Sequence, residues 1–260
     1  MTLTMAEITS WIGSLLWPFF RIGAMLMVAP ITSASYVPMR ARLMLALAIT
    51  FIVAPLLPTP PMVTPFSWPA LAIILQQILI GVSMGFVLML VFNAIVTGGQ
   101  LIAMQMGLGF ASMVDPQNGT QVPVLGQLYL MMTTLLFLGM DGHLILIRML
   151  VESFQLLPIA DSGIDRDSFW AIANWGSEMF AGALWLALPA VASLLVVNIA
   201  FGVMARAAPQ LNIFAIGFPV AMIMGYLVIL YTLPNVVPQF QLILEQGFEL
   251  IQYLLLGGRQ

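Results

Sequence analysis

Between Arg42 and Asp115 the chain runs 72 residues without a charged side chain, and that absence decides the solvent in which it folds. A water-soluble domain cannot keep so long an uncharged, largely apolar stretch out of water. A chain embedded in lipid, or packed into a dense helical assembly, can, because ionised groups are expensive in hydrocarbon. Two further charge-free stretches follow, from Met179 to Ala205 and from Ala207 to Leu244. Only 7% of all residues are charged, against about 25% in soluble domains. The chain therefore reads as a membrane protein, and its few polar breaks are where function is to be sought.

Charge and cysteine usage remove several classes. Arginine supplies all seven cations and the net charge is −3, which excludes a nucleic-acid footprint, since that needs a basic patch. With no cysteine there are no disulfides, thiolate metal sites or thiol nucleophiles. The first ten residues carry Glu7 and no basic side chain. That predicts a first span acting as its own insertion signal and no cleaved leader.

A membrane span needs about 20 apolar residues. Candidates lie at about 10–30, 39–57, 70–97, 122–148, 179–204, 211–233 and 239–256. The last two are either separate or one long helix bent at Pro234-Asn235-Val236-Val237-Pro238, giving six or seven spans. Leu, Ile, Met and Ala fill them without the alternation of a membrane barrel. The predicted fold is all-α: long apolar helices in antiparallel hairpins, one polytopic domain over 1–260, assembling into a larger helical complex. Pro55 to Pro69 reads as a stiff, uncharged crossing, and Leu157 to Ser168 as the plainly solvated loop. Taking Arg40 and Arg42 as cytoplasmic, alternating spans put Arg206 and Arg259 on the same side and the N-terminus outside. Arg148 opposes that pattern, and Arg21 falls inside a span.

Two polar breaks stand out. From Gln100 to Pro123 an apolar helix gives way to Gly107, Gly109, Asp115-Pro116 and Asn118-Gly119, which are turn signals. Yet Met106, Leu108, Phe110, Met113 and Val114 keep the stretch apolar, unlike a water-exposed loop. Irregular backbone at such depth is tolerated inside protein or against a cavity. The segment is thus either a buried re-entrant turn or a mobile plug, and the plug is the preferred reading. The second break, Phe201 to Pro219, sets Arg206, Pro209, Gln210 and Asn212 in a tight polar turn between apolar helices. It is either a plain connector or a docking edge for neighbouring subunits.

Other features have plainer readings. Of twenty methionines, Met104, Met106 and Met113 flank the irregular segment, where soft side chains suit a deformable seal; the rest are packing. Gln76, Gln77, Asn93, Gln100, Gln105 and Asn198 suit hydrogen bonds between helices. Gly81-Val82-Ser83-Met84-Gly85 matches the G-x-S-x-G pattern, but a nucleophile elbow needs a strand-to-helix turn. In mid-helix it reads as small-residue helix packing. His143 reads as a hydrogen-bonded turn residue. No enzyme is indicated, and no cofactor.

Set in order, Gln105-Met106-Gly107-Leu108-Gly109-Phe110-Ala111 with Asp115-Pro116, Asp141-Gly142-His143, Leu157-Pro158-Ile159, Ala208-Pro209-Gln210-Leu211-Asn212-Ile213-Phe214 and Gly217-Phe218-Pro219 carry a resemblance. The chain resembles the FliR family, membrane proteins of the flagellar export gate, and their counterparts in type III secretion. The resemblance covers nearly the whole chain. It implies a gate built with FliP and FliQ, with FlhB associated, passing unfolded flagellar subunits at the bacterial inner membrane within the basal body. It also implies a FliP-like part over about 1–170 and a FliQ-like hairpin over about 171–260. The family's plug loop would map onto 106–122, beside a methionine gasket contributed largely by FliP. The competing class is a small-molecule secondary transporter, which also uses broken helices. Against it, the two halves show no matching interruptions, and Arg21 is the one basic residue in the middle of a span.

Overall fold

Backbone amides in lipid need partners within their own segment, so apolar runs of this length fold as helices. The computed structural model describes residues 5–58, 61, 63, 67–108, 124–160, 163–208 and 213–257, with the side chains of 5–12 and 213–216 left aside. Along the chain come α1 (Met5–Val28), α2 (Met39–Val53), α3 (Trp68–Gln105), α4 (Val124–Gly139), α5 (Gly142–Leu156), α6 (Arg166–Ala207), α7 (Ile213–Thr232) and α8 (Val236–Leu255). Short 3-10 turns follow α2 at Ala54–Leu56 and join α7 to α8 at Leu233–Asn235. The described residues contain no strand.

Four stretches among the described residues are long and apolar enough to cross a membrane: Met39–Leu56, Trp68–Gln105, Arg166–Ala207 and Gly217–Leu255. The broken pair α4 and α5 makes five if counted as one span. The six or seven spans read from the sequence also took in the stretches near 10–30 and 122–148. The prolines at 234 and 238 do not end a helix. Pro234 enters a single 3-10 turn and the chain continues helical, so 217–255 is one long element. In the first helix the described side chains, Gly13–Val28, form one apolar stretch. The segment expected near 122–148 is interrupted at Met140 and Asp141. Asp141 takes a left-handed conformation, φ 57°, which stops α4, and α5 begins at the next residue.

The chain divides into two compact units. The first holds Met1–Leu90, Phe137–Gly176 and Glu245–Gln260. Within it α1 runs parallel to the first part of α3. Trp17 packs on Ala70 and Ile73, Arg21 meets Gln77, and Gly81 and Gly85 lie against the backbone of residues 21–29. A β-carbon at Gly85 would stand 2.9 Å from the Met25 carbonyl oxygen, and one at Gly81 would collide with that of Arg21. The Gly-x-Ser-x-Gly pattern is thus the groove that admits α1, as the small-residue reading expected. α2 packs on α1, and Arg42 reaches back from its first turn to donate to the Ser33 and Ala34 carbonyls at 3.0 and 2.7 Å. In the 157–168 stretch Asp165, Arg166 and Asp167 are exposed, while Ile159 packs against the Trp17 cluster and Ile164 is buried.

The second unit holds Val91–Leu136 and Ser177–Leu244. Here the C-terminal part of α3 is the core element. Its ring Phe92 meets Phe240 of α8 edge to face, centroids 6.0 Å apart. Ala94 and Ile95 are fully buried.

Candidate functional site

The end of α3 shows why the chain leaves the helix where it does. Gly98 and Gly99 let two helices close in: a β-carbon at Gly98 would stand 3.0 Å from the Ala183 carbonyl oxygen of α6, and one at Gly99 would meet the Tyr129 ring of α4 at 2.6 Å. About two turns later the helix stops. Gly107 adopts φ 81°, its N–H donates to the Met104 carbonyl at 3.1 Å, and the Leu108 N–H donates to that of Ala103 at 3.1 Å. This pair of bonds is a Schellman cap, which needs the left-handed conformation that glycine adopts without a β-carbon clash. The first glycine of the segment is therefore a helix stop. Met106, just before it, is fully buried and lies across Gly225 of α7, with Cε and Sδ 2.6 and 2.7 Å from where a β-carbon would stand.

Of the residues named for this segment, Met106 and Gly107 are thus placed. Gly109, Phe110, Met113, Asp115 and Pro116 lie outside the described residues. Arg206 sits exposed in the last turn of α6, where a cation faces the negative end of the helix dipole. Pro209, Gln210 and Asn212 also lie outside the described residues.

Arg21 is the buried polar centre of the first unit, with no exposed surface. Its Nε donates to Gln77 Oε1 at 2.9 Å, Nη1 to the Ser153 carbonyl and hydroxyl at 2.8 and 3.0 Å, and Nη2 to the Leu157 carbonyl at 2.9 Å. The guanidinium also stacks over the Phe154 ring, 4.2 Å from its centroid. None of these partners is a carboxylate. The Ser153 and Leu157 carbonyls close α5, where the helix end carries partial negative charge, and that of Ser153 also accepts from the Leu157 N–H at 2.9 Å. Arg21 caps that end, and the helix dipole stands in for a counter-ion. The sequence signalled that a lone arginine in an apolar span must find acceptors, and Gln77 was a visible one. The α5 carbonyls belong to the backbone, which no side-chain pattern announces.

Other expectations resolve locally. Ser83 is buried in the middle of α3, without the turn a nucleophile requires. His143 opens α5, but its Nδ1 is buried with no hydrogen-bond partner, which corrects the expectation of a hydrogen-bonded turn histidine. At the start of α6, Asp165 Oδ1 accepts from the Ser168 N–H at 2.9 Å. The nearby Ser168 hydroxyl and then this N–H favour the charged carboxylate and hold its pKa below the ordinary value. The hydroxyl oxygen itself does not reach hydrogen-bonding geometry.

Large apolar side chains remain exposed along the long helices. On α6 these include Trp185, Val196 and Val203, and on α7 Ile223, Leu230 and Tyr231, the last 86% exposed. The most apolar window of α3 is 61% buried, whereas that of α6 is 22% buried. A mostly apolar groove lined by Pro189, Ser193, Leu227, Val228, Tyr231, Thr232 and Asn235 opens in the second unit.

Apolar helices of this length, with glycine-set packing and a capped polar break, define a polytopic α-helical membrane protein. Over residues 12–247 the sequence matches the profile of a family described as bacterial export proteins, family 1. It is also similar to the flagellar biosynthetic protein FliR of Escherichia coli K12, 40% identical with 96% of each chain covered. FliR of Pectobacterium carotovorum is 37% identical, covering 98% of this chain and 97% of its own, and FliR of Aquifex aeolicus 30%, covering 96% and 98%. The chain belongs to this bacterial export family, in its FliR branch.

Proposed function

We propose that this chain is a core subunit of the flagellar type III protein export gate, forming with FliP and FliQ the channel through which unfolded flagellar subunits leave the cell. FlhB associates with the gate, and the complex lies in the basal body at the bacterial inner membrane. The chain makes and breaks no bond; it forms a conduit. Residues 1–170 serve as a FliP-like part and 171–260 as a FliQ-like hairpin.

One observation carries the reading: long helices whose apolar faces the chain itself leaves uncovered. At about 1.5 Å per residue, the 42 residues of α6 extend about 63 Å, twice the roughly 30 Å of a hydrocarbon core. Lipid alone cannot cover such a face, and neighbouring helices can. The test is co-purification: the tagged chain, expressed with FliP and FliQ, should elute as one large complex. A stable, folded monomer in detergent would refute it.

Residues 106–122 act as the plug. Phe110 and Met113 supply a dry, deformable barrier of the hydrophobic-gate kind. Deleting 109–115, which spares the Gly107 cap, should leave assembly intact and raise resting leakage of ions through the complex. An intact complex without added leak would refute the plug, and lost assembly would make the segment a structural turn. Replacing Phe110 or Met113 with Ser should leak less than the deletion, since wetting a constriction is gentler than removing it.

A further inference from the structure

We propose that α2 is a lipid-facing helix of the assembled gate, crossing the bilayer with acyl chains as its neighbours. The proposal rests on the membrane placement of the complex given above and makes no use of the plug. Burial alone does not separate α2 from α6, since the most apolar windows of Met39–Leu56 and Arg166–Ala207 are each 22% buried. Length does separate them. The 18 residues of Met39–Leu56, at about 1.5 Å each, make about 27 Å, close to the roughly 30 Å of a hydrocarbon core.

Within the chain α2 spends one narrow stripe. Its buried residues are Ala46, Thr50 and Val53, which follow one another along a single side of the helix. The Thr50 hydroxyl is turned inward and donates to the Ala46 carbonyl at 2.7 Å. Elsewhere the helix is apolar and open: Met44, Leu47, Phe51 and Ile52 are all exposed. A neighbouring helix would cover one such side, whereas lipid surrounds a helix. A helix lying along the membrane surface would need a charged or polar face, and α2 has no charged or amide side chain after Arg42. The ends match the two borders of a bilayer. Tyr36 and Arg40 are exposed at the start, residue types that sit at headgroup level, and the Arg40 guanidinium complements an anionic lipid phosphate. Arg42 is bound inward to the Ser33 and Ala34 carbonyls. At the far end Pro55 enters the 3-10 turn and the chain turns extended at Leu57.

The chain has no cysteine, so single cysteines can carry a nitroxide label without background. Met39→Cys, Met44→Cys, Leu47→Cys, Ile52→Cys and Leu56→Cys are each expressed with cysteine-free FliP and FliQ, and the labelled complex is reconstituted in phospholipid vesicles. Collisions with oxygen, which concentrates among acyl chains, are compared with collisions with a water-soluble nickel chelate. The ratio of oxygen to nickel collisions should peak near Leu47 and fall several-fold toward Met39 and Leu56. Exclusion of both reagents along α2 would mean that a protein neighbour covers it, and dominant nickel access would mean water; either result overturns the proposal. A high ratio that stays flat from 39 to 56 would mean a helix lying in the membrane plane and overturns it as well. Val196→Cys on α6 tests the proposed function separately. Oxygen access there would overturn the covering of α6 by neighbouring subunits and leave the placement of α2 standing on its own profile. Failure of the unlabelled complex to form would overturn the proposed function, and this placement with it.

Discussion

The guanidinium of Arg21 is held out of water by oxygen atoms that carry no formal charge. Gln77, Ser153 and Leu157 supply those oxygens; removing the arginine takes that donor from Gln77 Oε1 and the Leu157 carbonyl, whereas the Ser153 carbonyl keeps the Leu157 N–H. Each buried acceptor left without a partner costs about 1–3 kcal/mol, so Arg21→Ala should destabilise the chain by at least about 2 kcal/mol. Arg21→Lys should recover only part, because an ammonium is a point donor and cannot span the fork. Melting of the purified complex followed by fluorescence checks both; an unchanged midpoint for Arg21→Ala would contradict the clamp. Asp165 makes a smaller prediction at the surface. Its pKa is lowered in the fold, so its contribution is present above the unfolded value of about 3.9. That contribution is lost as pH falls through the lower folded value. Asp165→Ala should therefore lower the melting midpoint at pH 7, and the gap from the parent should close in acid below about pH 4. A gap of constant size down to acid pH would show that the cap does not depend on charge.

At the scale of elements, the parallel seam of α1 and α3 depends on two residues without side chains. Gly81→Val would drive its β-carbon into the Arg21 carbonyl and within 3.0 Å of the Ala24 side chain and the Met25 nitrogen. Backbone cannot yield as a flexible side chain does, so the cost should exceed the roughly 1–3 kcal/mol of ordinary overpacking. Gly23→Ala, where no neighbour lies within 4 Å, is the control. The yield of folded protein in detergent should fall for Gly81→Val and hold for Gly23→Ala; equal yields would argue against the seam. The same glycines were legible as a small-residue pattern, but their partner was not. A groove shows in sequence as spacing, whereas the helix that fills it is chosen in three dimensions.

For the whole molecule, the uncovered faces of α6 and α7 set the expectation. Expressed without FliP and FliQ, the chain should be degraded or aggregated, because Trp185, Val196, Leu230 and Tyr231 are exposed with no neighbour to cover them. Co-expression should raise its steady-state level several-fold on an immunoblot. Arg206→Ala should lower complex yield while costing the fold no more than about 1 kcal/mol, the worth of one cation at a helix end. A drop in stability without loss of assembly would assign Arg206 to the fold alone.

Charge and hydropathy alone determined that the chain is helical and membrane-embedded, because the cost of an ionised group in hydrocarbon acts on composition and needs no knowledge of contacts. The family was likewise legible, since Gln105 to Ala111, Asp141 to His143 and Ala208 to Phe214 are local strings. The polar break after α3 was visible in its turn residues, and Gly107 ended the helix where the string suggested. What only the tertiary structure decided was which distant groups meet. Arg21 finds carbonyls more than 130 positions away, Met106 finds Gly225, and Pro234 is absorbed into a continuing helix. Those outcomes depend on backbone atoms and on missing side chains, and neither leaves a periodic trace in the sequence.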